Sequence, residues 1–213
     1  LSEIIMSKPV IVYFPARGRA ELARFVLAAA GQDWDERILN PETLVELKGT
    51  GKLAFGQVPL LEDGDLNIVQ SGAIARYLAR KHDLFGDLQD GVIADQIIDG
   101  HNDFLSKLVP ALYPQFNKEK TQEVATTVLP GFLKAFESIL ERNNGGNGFV
   151  SGDKLTLGDL ALFLISESYF FDYNFASADA YPKLKAHKER IGAIPNIAAF
   201  IASEKRHPVR KFE

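Results

Sequence analysis

Residues 57–71 read Gln57-Val58-Pro59-Leu60-Leu61-Glu62-Asp63-Gly64-Asp65-Leu66-Asn67-Ile68-Val69-Gln70-Ser71. Two apolar runs, 58–61 and 66–69, flank the turn dipeptide Asp63-Gly64, which is the pattern of a β-hairpin. Pro59 has no N–H to give to a ladder, so it belongs at a strand start or an edge. Directly behind the hairpin, residues 71–82 carry Ile74, Tyr77 and Leu78 on one helical face, with Ser71 as a plausible N-cap. Upstream lies a strand–helix–strand unit. Residues 9–14 are a short β-rich run. Residues 18–30 place Leu22, Phe25, Val26 and Ala29 at helical spacing and stop at Gly31, a typical residue just past a helix end. Residues 34–39 form a second strand candidate, 43–48 a weaker helical stretch and 49–51 a loop. Together they predict a βαβ–ββα domain over residues 1–83.

The grammar changes after His82. Residues 84–90 carry Gly and Asp around Phe85 and read as a linker. No convincing strand follows. Helical periodicity covers 91–113, 121–142, 156–171, 180–191 and 196–204, with 143–148 as a loop. The expected architecture is therefore α/β plus all-α, with residues 91–213 as an all-helical domain. Within it, Thr156-Leu157-Gly158-Asp159 reads as a capping box, with Leu155 and Leu160 as a hydrophobic staple. Residues 160–165 are apolar nearly all round, the mark of a buried helix.

Composition excludes several classes. The 213 residues, 46% hydrophobic and 24% charged, suit one or two globular domains. Twenty-four Lys+Arg against 28 Asp+Glu leave a net charge of −4, so neither nucleic acid nor an anionic membrane is an expected partner. No apolar run approaches the ~18 residues of a membrane span, and no signal peptide is visible. The chain has no cysteine. That excludes disulfides, thiolate metal sites and a Cys nucleophile; any thiol chemistry must use a thiol brought by a ligand. The cytoplasm is the expected compartment. Met6 is the single methionine, so residues 1–5 read as a remnant ahead of an initiator, or Met6 as internal to a longer natural N-terminus.

Four features carry possible chemistry. Tyr13 ends the first strand just before Pro15-Ala16-Arg17-Gly18-Arg19 and a helix start, where unpaired N–H groups and partial positive charge gather. A thiolate there would be stabilised by that field, by Arg17 or Arg19, and by a Tyr13 hydrogen bond; a Tyr at a strand end also occurs for packing alone. A cis bond before Pro59 would leave the Val58 N–H and C=O to pair with an extended peptide, whereas an ordinary edge proline has no such role. Ser71 and its neighbouring amides suit a carboxylate, and equally a simple N-cap. Asp95, Asp99 and Asp103 recur every fourth residue and repel one another on one stripe. A cation at one end would explain them; so would a solvated acidic face. His101 sits beside them, but His82, His187 and His207 are scattered, and no metal is expected.

Tyr13-Phe14-Pro15, Gly18-Arg19-Ala20-Glu21-Leu22, Gly56-Gln57-Val58-Pro59, Asp63-Gly64-Asp65 and Gln70-Ser71-Gly72-Ala73-Ile74 together resemble cytosolic glutathione S-transferases of the tyrosine type. The resemblance runs from about residue 8 to 208, with one small shift around 87–92. Residues 18–30 are similar to the sigma class, and 55–65 and 95–113 to the pi class. The resemblance implies a thioredoxin-like glutathione-binding domain, a helical domain carrying the electrophile site, and a homodimer. It implies Tyr13 as the catalytic residue holding the glutathione thiolate. Val58 would pair with the cysteinyl part, with Pro59 cis and Gln57 by the tripeptide backbone. Gln70 and Ser71 would hold the γ-glutamyl carboxylate, and Asp103, from the partner subunit, would approach the γ-glutamyl ammonium. Arg19 matches an arginine near the site. Phe14, Ala16, Val109 and Tyr113 match positions lining the electrophile site. Phe55 matches an aromatic inserted into the neighbouring subunit. No tightly bound cofactor is implied; glutathione is the co-substrate.

Two positions depart from the family pattern. Leu44 stands where a tryptophan usually bonds the glycyl end, and Thr50 where a lysine meets the glycyl carboxylate, with Lys48 and Lys52 flanking it as substitutes. The implied activity is activation of the thiol and its addition to apolar electrophiles, in detoxification. A glutathione-dependent isomerase of the prostaglandin D synthase kind is one alternative, and a non-catalytic crystallin or ligand carrier another. Retention of Tyr13, Gln70, Ser71 and Asp103 argues against a dead site.

Overall fold

The computed structural model describes residues 8–112 and 115–209. Four strands form one sheet in the order β2-β1-β3-β4. They are β1 (Val10–Tyr13), β2 (Asp35–Ile38), β3 (Leu60–Asp63) and β4 (Leu66–Val69). β1 runs parallel to β2, and the remaining pairs are antiparallel. Strand alternation divides the sheet's apolar residues between two faces. Ile11 and Leu61 join the main core, while Val12 and Leu60 join a smaller cluster with Leu39, Leu47 and Leu53.

Helices α1 (Glu21–Ala29) and α3 (Ser71–Lys81) cover the first face, and α2 (Pro41–Gly49) contributes Leu47 to the second cluster. α2 starts earlier than periodicity alone predicts. Asn40 caps it by accepting the Thr43 N–H at 2.8 Å, and the Thr43 hydroxyl accepts the Asn40 N–H at 2.9 Å. Pro41 then fits the first turn, where its missing N–H costs nothing. The hairpin turns through Gly64-Asp65, one residue later than expected, with Gly64 at φ 58°.

The helical part comprises α4 (Leu88–Leu112), α5 (Lys118–Glu123), α6 (Leu129–Glu141), α7 (Leu157–Ser166), α8 (Pro182–Gly192) and α9 (Pro195–Ala202). α4 begins inside the stretch expected to be linker. Asp87 and Asp90 cap it reciprocally, each backbone N–H donating to the other's carboxylate at 3.0 Å. The helix expected over 121–142 is present and runs unbroken from Lys118 to Glu141, but it is not α-helical throughout. A wider π-type turn at Val124–Val128 joins α5 to α6, just where Pro130 cannot donate the N–H that a regular α-helix needs. A second π-type turn, Glu167–Asp172, follows α7.

α7 is buried along its whole length, which matches its all-round apolar sequence. The main core is continuous across both parts of the chain. Phe25 of α1 packs edge-on against Phe163 of α7 at 5.1 Å and Phe200 of α9 at 5.2 Å, and Trp34 meets Phe200 at 5.5 Å.

Candidate active site

Strand register brings three of the sequence features to one end of the sheet. Val12 pairs with Leu60, and Leu60 with Val69. Tyr13 follows Val12, Val58-Pro59 precedes Leu60, and Gln70-Ser71 follows Val69. The antiparallel pairings therefore place all three at the same edge. Two strand spacings separate the outer ones, about 10 Å, which is the reach of an extended tripeptide.

At the β1 end, the Tyr13 hydroxyl accepts the Arg19 N–H at 3.2 Å. Arg19 lies in a short 3-10 turn, Gly18–Ala20, that leads into α1. Gly18 adopts φ +46°, and a Cβ there would lie 2.8 Å from the Tyr13 oxygen. Glycine thus meets two demands, the left-handed backbone and the close approach of the hydroxyl. The Arg19 guanidinium reaches Asn102 Oδ1 at 3.4 Å. Beside it, His101 Nε2 and the Tyr169 hydroxyl are 2.7 Å apart. Burial, and secondarily the Arg19 charge, hold the His101 pKa down to about 4, and burial pushes the Tyr169 phenol well up. The pair is neutral near pH 7.

Arg24 is buried and grips the loop between β1 and α1. Its Nη1 donates to Ala16 O at 2.9 Å and Arg17 O at 3.2 Å, and its Nε donates to Glu36 Oε1 at 2.8 Å. Arg24 and Glu36 escaped the sequence reading; an arginine within the apolar stripe Leu22-Ala23-Arg24-Phe25-Val26 was the available signal. Phe14 and Ala16 are half-buried on that loop, and the Phe14 ring meets Tyr13 edge-on at 5.6 Å.

The Val58–Pro59 peptide is cis, as the resemblance implies. Val58 lies ahead of the β3 ladder, which begins at Leu60, and Gln57 is exposed. The cap of α3 differs from expectation. Gln70 is the N-cap, at φ 73°, and Ser71 occupies the first helical position. Ser71 therefore stands beside the first amides of α3 rather than capping them.

The aspartate stripe is divided. Arg76 of α3 reaches Asp95 Oδ1 at 2.6 Å and Asp99 Oδ1 at 3.0 Å. Burial pulls the Arg76 pKa down, but the two carboxylates outweigh it and the net shift is upward. Asp103 is exposed farther along α4 and makes no ion pair among the described residues. Val109 stands half-buried beyond it; Tyr113 lies outside the described residues. Lys52 Nζ pairs with Glu62 Oε1 at 2.7 Å while remaining partly exposed, and Lys48 is exposed on α2. Leu44 packs into the second apolar cluster. Thr50 caps α2 by donating its hydroxyl to Leu47 O at 2.7 Å. Phe55 is 68% exposed. Among the described residues no group of three His, Asp or Glu is placed to hold a metal ion.

The fold defines a two-part protein: a thioredoxin-like sheet domain with Tyr13, Val58-Pro59 and Gln70-Ser71 at one end of the sheet, followed by a helical part. The family model described as glutathione S-transferase, N-terminal domain, matches residues 9–80, and that described as glutathione S-transferase, C-terminal domain, matches residues 102–204. Human glutathione S-transferase P is 38% identical over 197 residues, 91% of each chain. A glutathione S-transferase described as specific to the nematode C. elegans superposes with TM-score 0.83 at 30% identity, covering 97% of this chain and 100% of that one. A Pi-class enzyme of Onchocerca volvulus gives TM-score 0.80 at 30% identity, with 92% of each chain covered. The chain belongs to the glutathione S-transferase family.

Proposed function

We propose that this chain binds glutathione across the sheet edge, ionises its thiol beside Tyr13 and transfers the sulfur to apolar electrophiles. The observation that carries the reading is the Tyr13 hydroxyl, fixed at 3.2 Å by the Arg19 N–H at the start of the α1 segment. A phenol hydroxyl can both accept and donate, so a hydroxyl positioned here is the kind of group that stabilises a thiolate.

A free thiol of pKa ~8.5 is only a few per cent ionised at pH 7. Lowering that pKa by ~2 units requires about 2.7 kcal/mol of preferential thiolate stabilisation. A charge-assisted hydrogen bond, the helix start and the nearby arginine are of the right size to supply it together. The thiolate attacks the electrophilic carbon, forming the C–S bond as the leaving group departs with its electron pair. Holding both reactants at the site supplies a further share of the rate.

The remaining roles follow the same reading. Val58 offers its backbone to the cysteinyl unit, with Pro59 and Gln57 alongside. Gln70, Ser71 and the first α3 amides face the γ-glutamyl carboxylate, an arrangement helix N-termini favour. Asp103 faces the γ-glutamyl ammonium across a dimer interface, and Lys48 or Lys52 the glycyl carboxylate. Phe14, Ala16 and Val109 line the electrophile side. The exposed Phe55 ring anchors a homodimer, since burying such an aromatic in a partner pocket is a common source of interface energy; sedimentation of wild type and Phe55→Ala tests that. The cytoplasm suits this chemistry because thiols are kept reduced there.

Binding to immobilised glutathione, with turnover of a chromogenic aryl halide, tests the function. Tyr13→Phe is expected to retain binding and lose roughly tenfold or more in kcat/KM near pH 7, as for one donor to a charged group. A Tyr13→Phe enzyme with wild-type kcat/KM from pH 6 to 8 rejects Tyr13 as the activating residue.

A further inference from the structure

The segment Lys205–His207, just past α9, closes a ring of hydrogen bonds with the loop that follows Tyr13. The Arg17 Nε donates to His207 O at 2.8 Å. His207 Nε2 lies 2.8 Å from Glu36 Oε2. Glu36 accepts from Arg24, which in turn donates to the carbonyls of Ala16 and Arg17. The ring returns to Arg17, so the same loop residue is held through its carbonyl and through its side chain. Arg17 has a second hold outside the ring, Nη1 to Asp172 Oδ2 at 2.7 Å.

The rest of the segment is fastened to the same region. Lys205 reaches Trp34 O and Asp33 Oδ1, both at 2.7 Å, and lies over the Trp34 ring at 4.0 Å. Arg206 bridges Glu21 Oε1 at 3.1 Å and Glu167 Oε1 at 3.2 Å. Three consecutive residues of the helical part thus engage β2, α1 and the loop between β1 and α1. General stability does not require the contacts to converge on this loop, because the Phe25–Phe163–Phe200 packing already joins the two parts.

We propose that Arg17 and His207 are positioning residues, through which residues 205–207 set the conformation of loop 15–18 and with it the place where the electrophile meets the thiolate. The proposal rests on the reading of Tyr13 and Ala16 given above. The sequence offers Arg17 as well as Arg19 to the thiolate, but the Arg17 guanidinium is committed to His207 O and Asp172, and His207 to Glu36. On this reading both act through the loop, and Arg19 is the arginine nearest the Tyr13 hydroxyl. Their effect passes through the Ala16 and Arg17 backbone and through Gly18, whose Cα carries no side chain against the Tyr13 hydroxyl. The γ-glutamyl end at Gln70 and Ser71 lies two strands away and is untouched by the ring.

The test compares His207→Ala, His207→Gln, Arg17→Lys and the His207→Ala/Arg17→Lys double variant with wild type in the full-length enzyme. His207→Ala is expected to lower kcat/KM for the aryl halide about fivefold or more, as small misplacements of reacting groups do, with glutathione Kd by calorimetry within about twofold. His207→Gln places an amide nitrogen where the imidazole Nε2 stands, and restores most of the loss. Arg17→Lys keeps the charge but not the fork that spans His207 O and Asp172, and loses as His207→Ala does. The double variant loses less than the product of the two, because both act on one ring. Should His207→Ala not fold, Arg17→Lys and His207→Gln carry the test. Folded variants with kcat/KM within twofold of wild type overturn the proposal, even if their Tm falls. So does an equal loss in glutathione affinity, which would mark a general disruption. Tyr13→Phe in parallel separates the two ideas. If it loses turnover and the ring variants do not, only the positioning role fails; if it too is unaffected, the reading of the site fails.

Discussion

A side chain at Gly18 would strike the Tyr13 hydroxyl: a Cβ built there lies 2.8 Å from the oxygen, on a backbone at φ +46°. Gly18→Ala is therefore expected to strain the loop by about 1–2 kcal/mol, the cost of a left-handed L-residue, and to push the hydroxyl aside. A shift of that kind at a reacting centre costs about ten- to a hundredfold in rate. Parallel measurement of kcat/KM and Tm checks this. An unchanged kcat/KM would show that the hydroxyl's position does not matter.

Asp99 and Asp103 share a helix face but not a fate. Arg76 holds Asp99 at 3.0 Å, whereas Asp103 has no ion-pair partner among the described residues. Asp103→Asn is expected to weaken glutathione binding about tenfold, the scale of one lost charged contact. Asp99→Asn leaves binding within about twofold, as an exposed pair contributes little. Calorimetric titrations with equal losses for the two would defeat the ligand role of Asp103.

Asp159 matters for folding. It is fully buried and accepts the Val150 N–H at 2.7 Å, the Thr156 N–H at 2.9 Å and the Thr156 hydroxyl at 3.1 Å, with His187 Nε2 at 2.9 Å. Asp159→Ala would orphan donors that water cannot reach, at a cost of about 3 kcal/mol or more. That is a large share of a typical domain's 5–15 kcal/mol. Denaturant midpoint and soluble yield are expected to fall, while the folded fraction keeps its glutathione Kd and turnover per site. A variant as stable as wild type but inactive would move Asp159 into the active site.

His101 gives stability a pH dependence. Its folded pKa is about 4, below the ordinary 6.5, because burial and then the Arg19 charge disfavour the cation. The unfolded chain takes up the proton first as pH falls. Stability from this group is therefore complete above pH ~6.5 and lost as pH falls toward ~4, with a slope of at most about 1.4 kcal/mol per pH unit. Urea midpoints of wild type and His101→Gln over pH 4–7 check this. His101→Gln should show the shallower slope; parallel curves would refute the assignment.

Short-range patterns specified much of this protein. The hairpin at 58–69, the helix behind it and the order of strands and helices follow from periodicities of two and 3.6 and from turn residues acting within a few positions. The Thr156–Asp159 cap lies within four consecutive residues and was legible for the same reason. Tyr13, Val58-Pro59 and Gln70 were readable as candidates because each adjoins a strand end. Only the register Val12–Leu60–Val69 placed them on one edge.

Tertiary structure decided what depends on distant partners. Arg76 divides the aspartate stripe from another helix. Glu62, on a neighbouring strand, occupies Lys52. Gln70 rather than Ser71 forms the α3 cap because the chain leaves β4 at φ 73°. The departure from α-helical geometry between α5 and α6 had a visible cause in Pro130, but the π-type turn that absorbs it is a matter of packing. The contact from Arg17 to His207 joins residues 190 positions apart. Sequence periodicity reports which face of an element is apolar. It carries no record of which charged side chain, from which other element, meets that face once the core has closed.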